Sequence, residues 1–563
     1  MVNQREDDEM EIKRLSEKPF YLKEDQINWV QETFSSMTNE DKIGQLFVLL
    51  GDANEPRELE ELVRDQSIGG VLFRPDTTEA VKKKYEALGR IAKYPLLNCA
   101  NLEEGGAGVV TDGTYFGSEM QVAAANDLEM TKKFAADCAE EGKAVGVNWN
   151  FAPVVDIDKN FRNPITNVRT FGSDVQRVKE NALVYVQELQ RRGMAAACKH
   201  YPGDGVDYRD QHLHPTYNSL SARDWYDSYG LIYQTLIDAG LMSVMVGHIV
   251  APHVIRDVNP QATEEDMLPG SLSREMITGV LREKFGFNGL VITDATIMGG
   301  YTMAMPRRLA IPATIAAGCD MICFTTDIHE DLQWMKEGLA EGRLTQERLD
   351  EAVLRVLAMK AALKSGIGTA TEEESRDTLT KVKDWASACA DQAITLVKNK
   401  NGLIPVSPAK YPKVRLMIVG QQEMYDGNIR DVATKTLEQL GYAVEYYDPF
   451  ADDLHGTREL PTDRFNVLLL HYPTASNNVT VRPSWCPKHA LEIPRFVHEE
   501  KTIVISLANP YHLQDVPRAE SYINTYTATA ETLRLALEKI SGQGSFTGVS
   551  PVEAFCGLED TRL

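Results

Sequence analysis

The sequence predicts a (β/α)8 barrel followed by a smaller α/β sandwich, an α/β fold class that three observations support. Eight short apolar runs alternate with longer amphipathic segments between about residues 45 and 325. A polar stretch rich in Gly, Thr and Glu follows, and beyond it apolar runs again alternate with helical patterns. Length agrees, because at roughly 100–200 residues per domain the 563 residues hold two to four domains, or one large barrel with a smaller companion. The expected division is a barrel over 1–364, a linker over 365–378 and a sandwich over 379–563.

The candidate barrel strands are Gln45–Leu50, Gly70–Phe73, Leu96–Cys99, Gly146–Phe151, Met194–Lys199, Ser243–Ile249, Gly289–Thr293 and Asp320–Phe324. Several are continuously apolar, as parallel strands covered on both faces must be. Ser173 with Gln176 offers a capping box for a helix with Val175, Val178, Ala182, Val186 and Leu189 at helical spacing, and Gly193 can close it. Ser273 is placed to cap a helix through Met276, Ile277, Val280 and Leu281 to Gly286. A helix at about Glu347–Lys364 leads into the linker, and another begins near Leu379. The run 393–399 and the strands Arg415–Val419, Asn466–Leu470 and Thr502–Leu507 then build the sandwich.

Composition narrows the function classes. With 59 Lys+Arg against 82 Asp+Glu the net charge is −23, and a nucleic-acid partner is not expected, since phosphate-backbone binding needs clustered cations. Hydrophobic content of 43% supports a sizeable core. The opening MVNQREDDEMEIKRLSEKPF has no apolar signal region, and no apolar run approaches the ~20 residues that span a bilayer, so a cytoplasmic protein without membrane contact is expected. Cysteines at 99, 138, 198, 319, 323, 389, 486 and 556 show neither a disulfide framework nor paired metal knuckles, and read as buried free thiols.

Parallel barrels build their sites at the C-terminal ends of the strands. The polar residues there are Asn101-Leu102-Glu103-Glu104-Gly105-Gly106, Asp156-Ile157-Asp158, Lys199-His200 before a Gly-Asp-Gly loop, Gly247-His248 and Thr293-Asp294. Lys199-His200 read either as a buried ion pair with the Asp156 or Asp158 region or as donors suited to a hydroxyl-rich substrate. Asp210 and His212, two apart in an extended segment, share a face, so the carboxylate can orient the imidazole for acid/base work. Asp294 serves either as a helix cap or as a nucleophile or base.

These residues in this order resemble glycoside hydrolase family 3, and within it the β-N-acetylglucosaminidase branch. The matching motifs are Asn167-Val168-Arg169-Thr170-Phe171-Gly172, Lys199-His200-Tyr201-Pro202-Gly203-x-Gly205, Asp210-x-His212, Met245-x-Gly247-His248 and Gly289-Leu290-Val291-Ile292-Thr293-Asp294. The segment 393–405 and Ser506-Leu507-Ala508-Asn509-Pro510-Tyr511 are similar to parts of the family's second domain. The resemblance implies a retaining, exo-acting glycosidase cleaving terminal β-linked N-acetylhexosamine, with Asp294 as nucleophile, His212 as acid/base and Asp210 as its dyad partner. It also implies that Arg169, Lys199 and His200 bind the sugar, with Asn101, Glu104 and His248 as further candidate contacts. Where the branch has D-Q-E-G-G-R, this chain has Leu102-Glu103-Glu104-Gly105-Gly106-Ala107, so the sugar-binding Asp and the Arg are missing and Asn101, Glu103 and Glu104 are the candidates to replace the lost contact. The position often filled by His in P-G-H-G is Asp204.

The expected partner is a small carbohydrate, with no cofactor and no metal, and the chain is expected to be a monomer or homodimer. Three alternatives compete. A histidine acid/base repels phosphate less than a glutamate would, which admits phosphorolysis. A metal-dependent barrel hydrolase would use His200, His212, His248 and Asp294 as ligands. A non-catalytic sugar-binding barrel would follow from the altered loop at Leu102.

Overall fold

The computed structural model describes residues 14–364, 368–448, 460–473, 482–483, 494, 496–497 and 499–563. Two compact units are present: 1–116, 132–157 and 178–382 form the first, and 117–131, 158–177 and 383–563 the second. The first is a closed eight-stranded barrel of β1 (Phe47–Leu50), β2 (Gly70–Leu72), β3 (Leu97–Ala100), β4 (Trp149–Asn150), β5 (Ala195–Tyr201), β6 (Ser243–Val246), β7 (Leu290–Ala295) and β8 (Met321–Cys323), with every neighbouring pair parallel. All eight expected strands are present. Both faces of the barrel sheet are covered: Val48, Val71, Leu97, Trp149, Ala197, Val244, Val291 and Ile322 are fully buried, although the register places Val48 and Val71 on opposite faces.

β4 is much shorter than expected. Gly146 has φ of +95°, the Asn148 side chain replaces ladder bonds by accepting from Asn98 N (2.9 Å) and donating to Leu96 O (3.2 Å), and Pro153 beyond the strand offers no N–H. The first capped helix, Val175–Arg191, starts at Asp174 rather than Ser173: Asp174 Oδ1 accepts from Arg177 N at 2.8 Å, while the Ser173 hydroxyl turns to Pro551 O. Ser273 caps as expected, its Oγ accepting from Met276 N at 3.3 Å at the start of the π-helix Glu275–Lys284.

The linker expectation needs correction. A helix spans Glu372–Ala393, so half of 365–378 is helical and not an open connection, and 365–367 lie outside the described residues. Its start is a capping box that sequence reading passed over: Thr371 Oγ1 accepts from Glu374 N and Glu374 Oε2 accepts from Thr371 N. The helix crosses the boundary between the units at 382/383, and two short segments from before the linker group with the second unit.

The second unit holds a six-stranded sheet of β9 (Thr395–Asn399), β10 (Lys413–Gly420), β11 (Ala443–Tyr446), β12 (Arg464–His471), β13 (Thr502–Ser506) and β14 (Ser521–Asn524), ordered β9-β14-β13-β12-β10-β11. β9 and β14 pair antiparallel and the rest parallel. Alternation divides the core: Val414, Leu416, Val467, Leu469, Ile503 and Ile505 face one layer, and Met417, Val419, Leu468, Leu470 and Val504 the other. β11 escaped sequence reading because Ala-Val-Glu-Tyr is a largely exposed edge, and β14 because Ser-Tyr-Ile-Asn is short and half polar. No helix among the described residues is long and apolar enough to cross a membrane. Seven described cysteines are buried and free, and Cys486 lies outside the described residues.

Candidate active site

β5 runs on to Tyr201, so Lys199 and His200 lie inside the strand, and both are buried. Asp156 organises His200: Oδ1 accepts from the backbone N–H at 3.1 Å and Oδ2 lies 2.6 Å from the ring Nδ1. A carboxylate only accepts, so Nδ1 carries the proton and Nε2 turns to Asp294, 3.8 Å from Oδ2. Lys199 Nζ pairs with Glu103 Oε1 and reaches Asn101 Oδ1 at 3.3 Å. His200 thus forms the buried pair with Asp156 that was one of the two readings, and Lys199 is buried too, its ammonium paired with Glu103.

Asp294 lies near the end of β7, where Oδ1 accepts from Ala295 N at 2.7 Å. Burial pushes its pKa up, but electrostatic interaction with the His200 ring, then with those of His248 and His212, together with the Ala295 N–H, outweighs that and holds the carboxyl at about 2. An ionised carboxylate with 15% of its side chain still exposed can meet an electrophile.

The dyad forms, although in a turn rather than in the extended segment expected, since Leu213 N and His214 N donate to Asp210 O. Asp210 Oδ1 accepts from His212 Nδ1 at 2.7 Å and from His212 N at 2.8 Å; the Asp210 side chain is fully buried, while the imidazole is 26% exposed. With Nδ1–H given to Asp210, Nε2 is the nitrogen left for a substrate oxygen. The loop is docked onto the strand-seven segment: Gly299 N donates to His212 O (2.8 Å) and Gly300 N to Gln211 O (3.0 Å). Gln211 Oε1 accepts from His248 N at 2.7 Å. A Cβ at Gly300 would stand 2.7 Å from His248 Cβ and 2.8 Å from Gln211 O, so this approach needs glycine. At the other end of the loop Gly203 has φ of +121° and its missing Cβ would meet the Tyr229 ring at 2.1 Å. The Tyr229 hydroxyl donates to Asp204 O at 2.6 Å, fixing the turn.

Residues 38–359 match the N-terminal domain of glycosyl hydrolase family 3. The chain belongs to glycosyl hydrolase family 3. A β-N-acetylglucosaminidase/β-glucosidase of Cellulomonas fimi is 39% identical over 98% of this family 3 chain and all of its own length. A solved β-glucoside phosphorylase, BglX, is 40% identical, with a TM-score of 0.89 over 97% of this chain and 99% of that one. A family 3 β-N-acetylglucosaminidase from Paenibacillus sp. shares the fold at a TM-score of 0.76, with 22% identity over 93% of this chain and all of that one.

Other expected contacts in this family 3 chain are placed differently. His248 is wholly buried with both ring nitrogens engaged, Nδ1 with Ser271 Oγ (2.8 Å) and Nε2 donating to Ala295 O (3.0 Å); burial lowers its pKa to about 4, so it is a neutral strut and not an open sugar contact. Glu104 accepts the Tyr115 hydroxyl at 2.8 Å, whereas Glu103 is the residue that reaches Lys199. Asn101 is exposed beside Lys199. Arg169 lies in the second unit, where Nη1 donates to Ile165 O at 3.2 Å, and Asp158, also there, accepts the Tyr511 hydroxyl at 2.6 Å. Leu102 is a core residue, its N–H held by Asn150 Oδ1 at 2.9 Å. Sequence reading missed Gln211 and Ser271, whose only signal is uncharged and whose partners lie far along the chain. Among the described residues no group of three or more His, Cys, Asp or Glu side chains is arranged to hold a metal ion.

Proposed function

We propose that this family 3 enzyme removes terminal β-linked N-acetylglucosaminyl and glucosyl residues with retention, through a covalent glycosyl-Asp294. The observation that carries the reading is an ionised Asp294 at the end of β7 with the His212–Asp210 pair docked on the segment that follows it. An Asp294 oxygen attacks the anomeric carbon as its bond to the leaving oxygen breaks, and His212 delivers the Nε2 proton to that oxygen. Asp210 stabilises the imidazolium that gives this proton. In the second step water displaces Asp294 and returns a proton to His212, so two inversions give net retention. The double name of the Cellulomonas relative supports acceptance of both sugars.

A second reading keeps the first step and makes inorganic phosphate the acceptor. Likeness to the β-glucoside phosphorylase along nearly the whole chain favours it, as does a histidine where a second carboxylate would repel the anion. Turnover of aryl β-N-acetylglucosaminide and aryl β-glucoside, assayed with and without phosphate, tests both. Free sugar in either buffer supports hydrolysis, and β-sugar 1-phosphate, the anomer that two inversions require, supports phosphorolysis. No cleavage of either glycoside overturns both readings.

A further inference from the structure

The barrel end remote from Asp294 carries a cavity of about 610 Å³, reached between the segments that lead into β7 and β8. Six arginines line it: Arg14, Arg274, Arg282, Arg343, Arg348 and Arg355. Three glutamates share the lining, Asp320 lies behind it and Glu341 pairs with Arg343 at 2.8 Å, which leaves a surplus of one positive charge in a chain of net −23.

Part of this cluster is structural. Arg282 Nη2 and Arg348 Nη2 each lie 2.6 Å from an Asp320 oxygen, and Arg348 and Arg355 also clasp Glu351 at 3.0 and 2.7 Å, tying the helix Gln346–Lys364 to the barrel floor. That network does not use all the donors. Arg355 Nε and Arg343 Nη2 are buried without a hydrogen-bond acceptor among the described residues, and a buried N–H left unmet carries its full desolvation cost. Arg274 forms no ion pair among the described residues and is exposed at the cavity, and Arg14 reaches Glu351 only at 3.7 Å. Burial, with Arg355 and then Arg348 as like-charged neighbours, lowers the pKa of Arg282 to about 9, while at Arg355 burial is outweighed by Asp320 and Glu351, which raise its pKa.

We propose that this cavity binds a phosphoryl-bearing anion through its spare guanidinium donors. Guanidinium forks match tetrahedral oxyanions in two-point hydrogen bonds, and a multiply charged group answers the surplus that single carboxylates leave. The inference is independent of the catalytic reading, because the cavity lies at the N-terminal strand ends and Asp294 at a C-terminal one.

Calorimetric titration of pyrophosphate into the full-length protein at constant ionic strength tests it. Wild type is expected to bind saturably with Kd at or below about 1 mM, and Arg14→Ala/Arg274→Ala to bind at least about tenfold more weakly. Arg274→Glu, a single surface change, is expected to weaken binding likewise while leaving aryl glycoside turnover and the thermal midpoint unchanged. Absence of saturable heat in wild type, or unchanged affinity in folded Arg274→Glu, overturns the proposal.

Discussion

In the mechanism we propose, Asp294 as nucleophile and His212 as acid/base contribute in separable ways. Asp294→Asn keeps the shape of the side chain but removes the nucleophile, and kcat on an activated aryl glycoside is expected to fall about 10⁴-fold or more. His212→Ala removes the proton donor, with an expected loss of about 10²–10⁴-fold that grows as the leaving group becomes more basic. A leaving-group series in which His212→Ala slows all substrates equally would contradict that role. Because the folded pKa of Asp294 is depressed, its charge is complete above the ordinary carboxylate value and lost only as pH falls through about 2. The stability it contributes disappears over the same window, so Asp294→Asn is expected to lose less stability than wild type between pH 4 and 2, read by denaturant titration. The Asp210–His212 contact was expected from strand alternation, yet the structure makes it in a turn, where Asp210 O accepts from Leu213 N and Asp210 Oδ1 takes the His212 backbone N–H as well as Nδ1. The His200–Asp156 pair was one of the readings the sequence offered and the structure contains it, whereas the Gln211–His248 contact was not legible, since 37 residues separate its partners and only closure of the barrel brings them near.

At the scale of elements, two glycines set how the catalytic loop meets its strands. Gly300→Ala would push on both His248 and Gln211, and it is expected to lower kcat by displacing His212 while the barrel still folds, as checked by circular dichroism beside kinetics. Gly203→Ala combines a positive φ with contact against Tyr229 and is expected to destabilise by roughly 1–3 kcal/mol, read as a lowered denaturant midpoint. The helix Gln346–Lys364 buries Lys360, whose pKa burial lowers to about 7, with Gln45 Oε1 as its hydrogen-bond partner. Above that value the unfolded chain holds a proton the folded one lacks, so wild-type stability rises with pH toward the free-lysine range. Lys360→Met abolishes this term, and its stability relative to wild type is expected to decline from pH 7 to pH 10. All eight barrel strands were legible because β-runs buried on both faces are continuously apolar. Helix Glu372–Ala393 was placed late because a polar, Glu-rich first turn reads as a loop unless the Thr371–Glu374 box is noticed.

Considered as a whole molecule, the chain joins a family 3 barrel to an α/β sandwich, and its ionisable groups at the mouth of the barrel are committed to one another. His200 is held by Asp156, His212 by Asp210, and His248 by Ser271 and Ala295, and among the described residues no group of three or more His, Cys, Asp or Glu is arranged to hold a metal ion. Exhaustive chelation is therefore expected to leave glycoside turnover unchanged, and a loss restored by added metal would revive a metal-dependent mechanism. The charge of −23 was legible as an argument against nucleic acid, whereas the arginine-lined cavity was not, because its members are spread from Arg14 to Arg355. The central claim is that Asp294 carries the sugar between the two steps. Incubation with an activated 2-deoxy-2-fluoro-β-glucoside, followed by peptide mass spectrometry, tests it most directly. The account predicts one fluoroglucosyl residue attached to the peptide containing Asp294, and a label on any other carboxylate, or none during turnover, would contradict it.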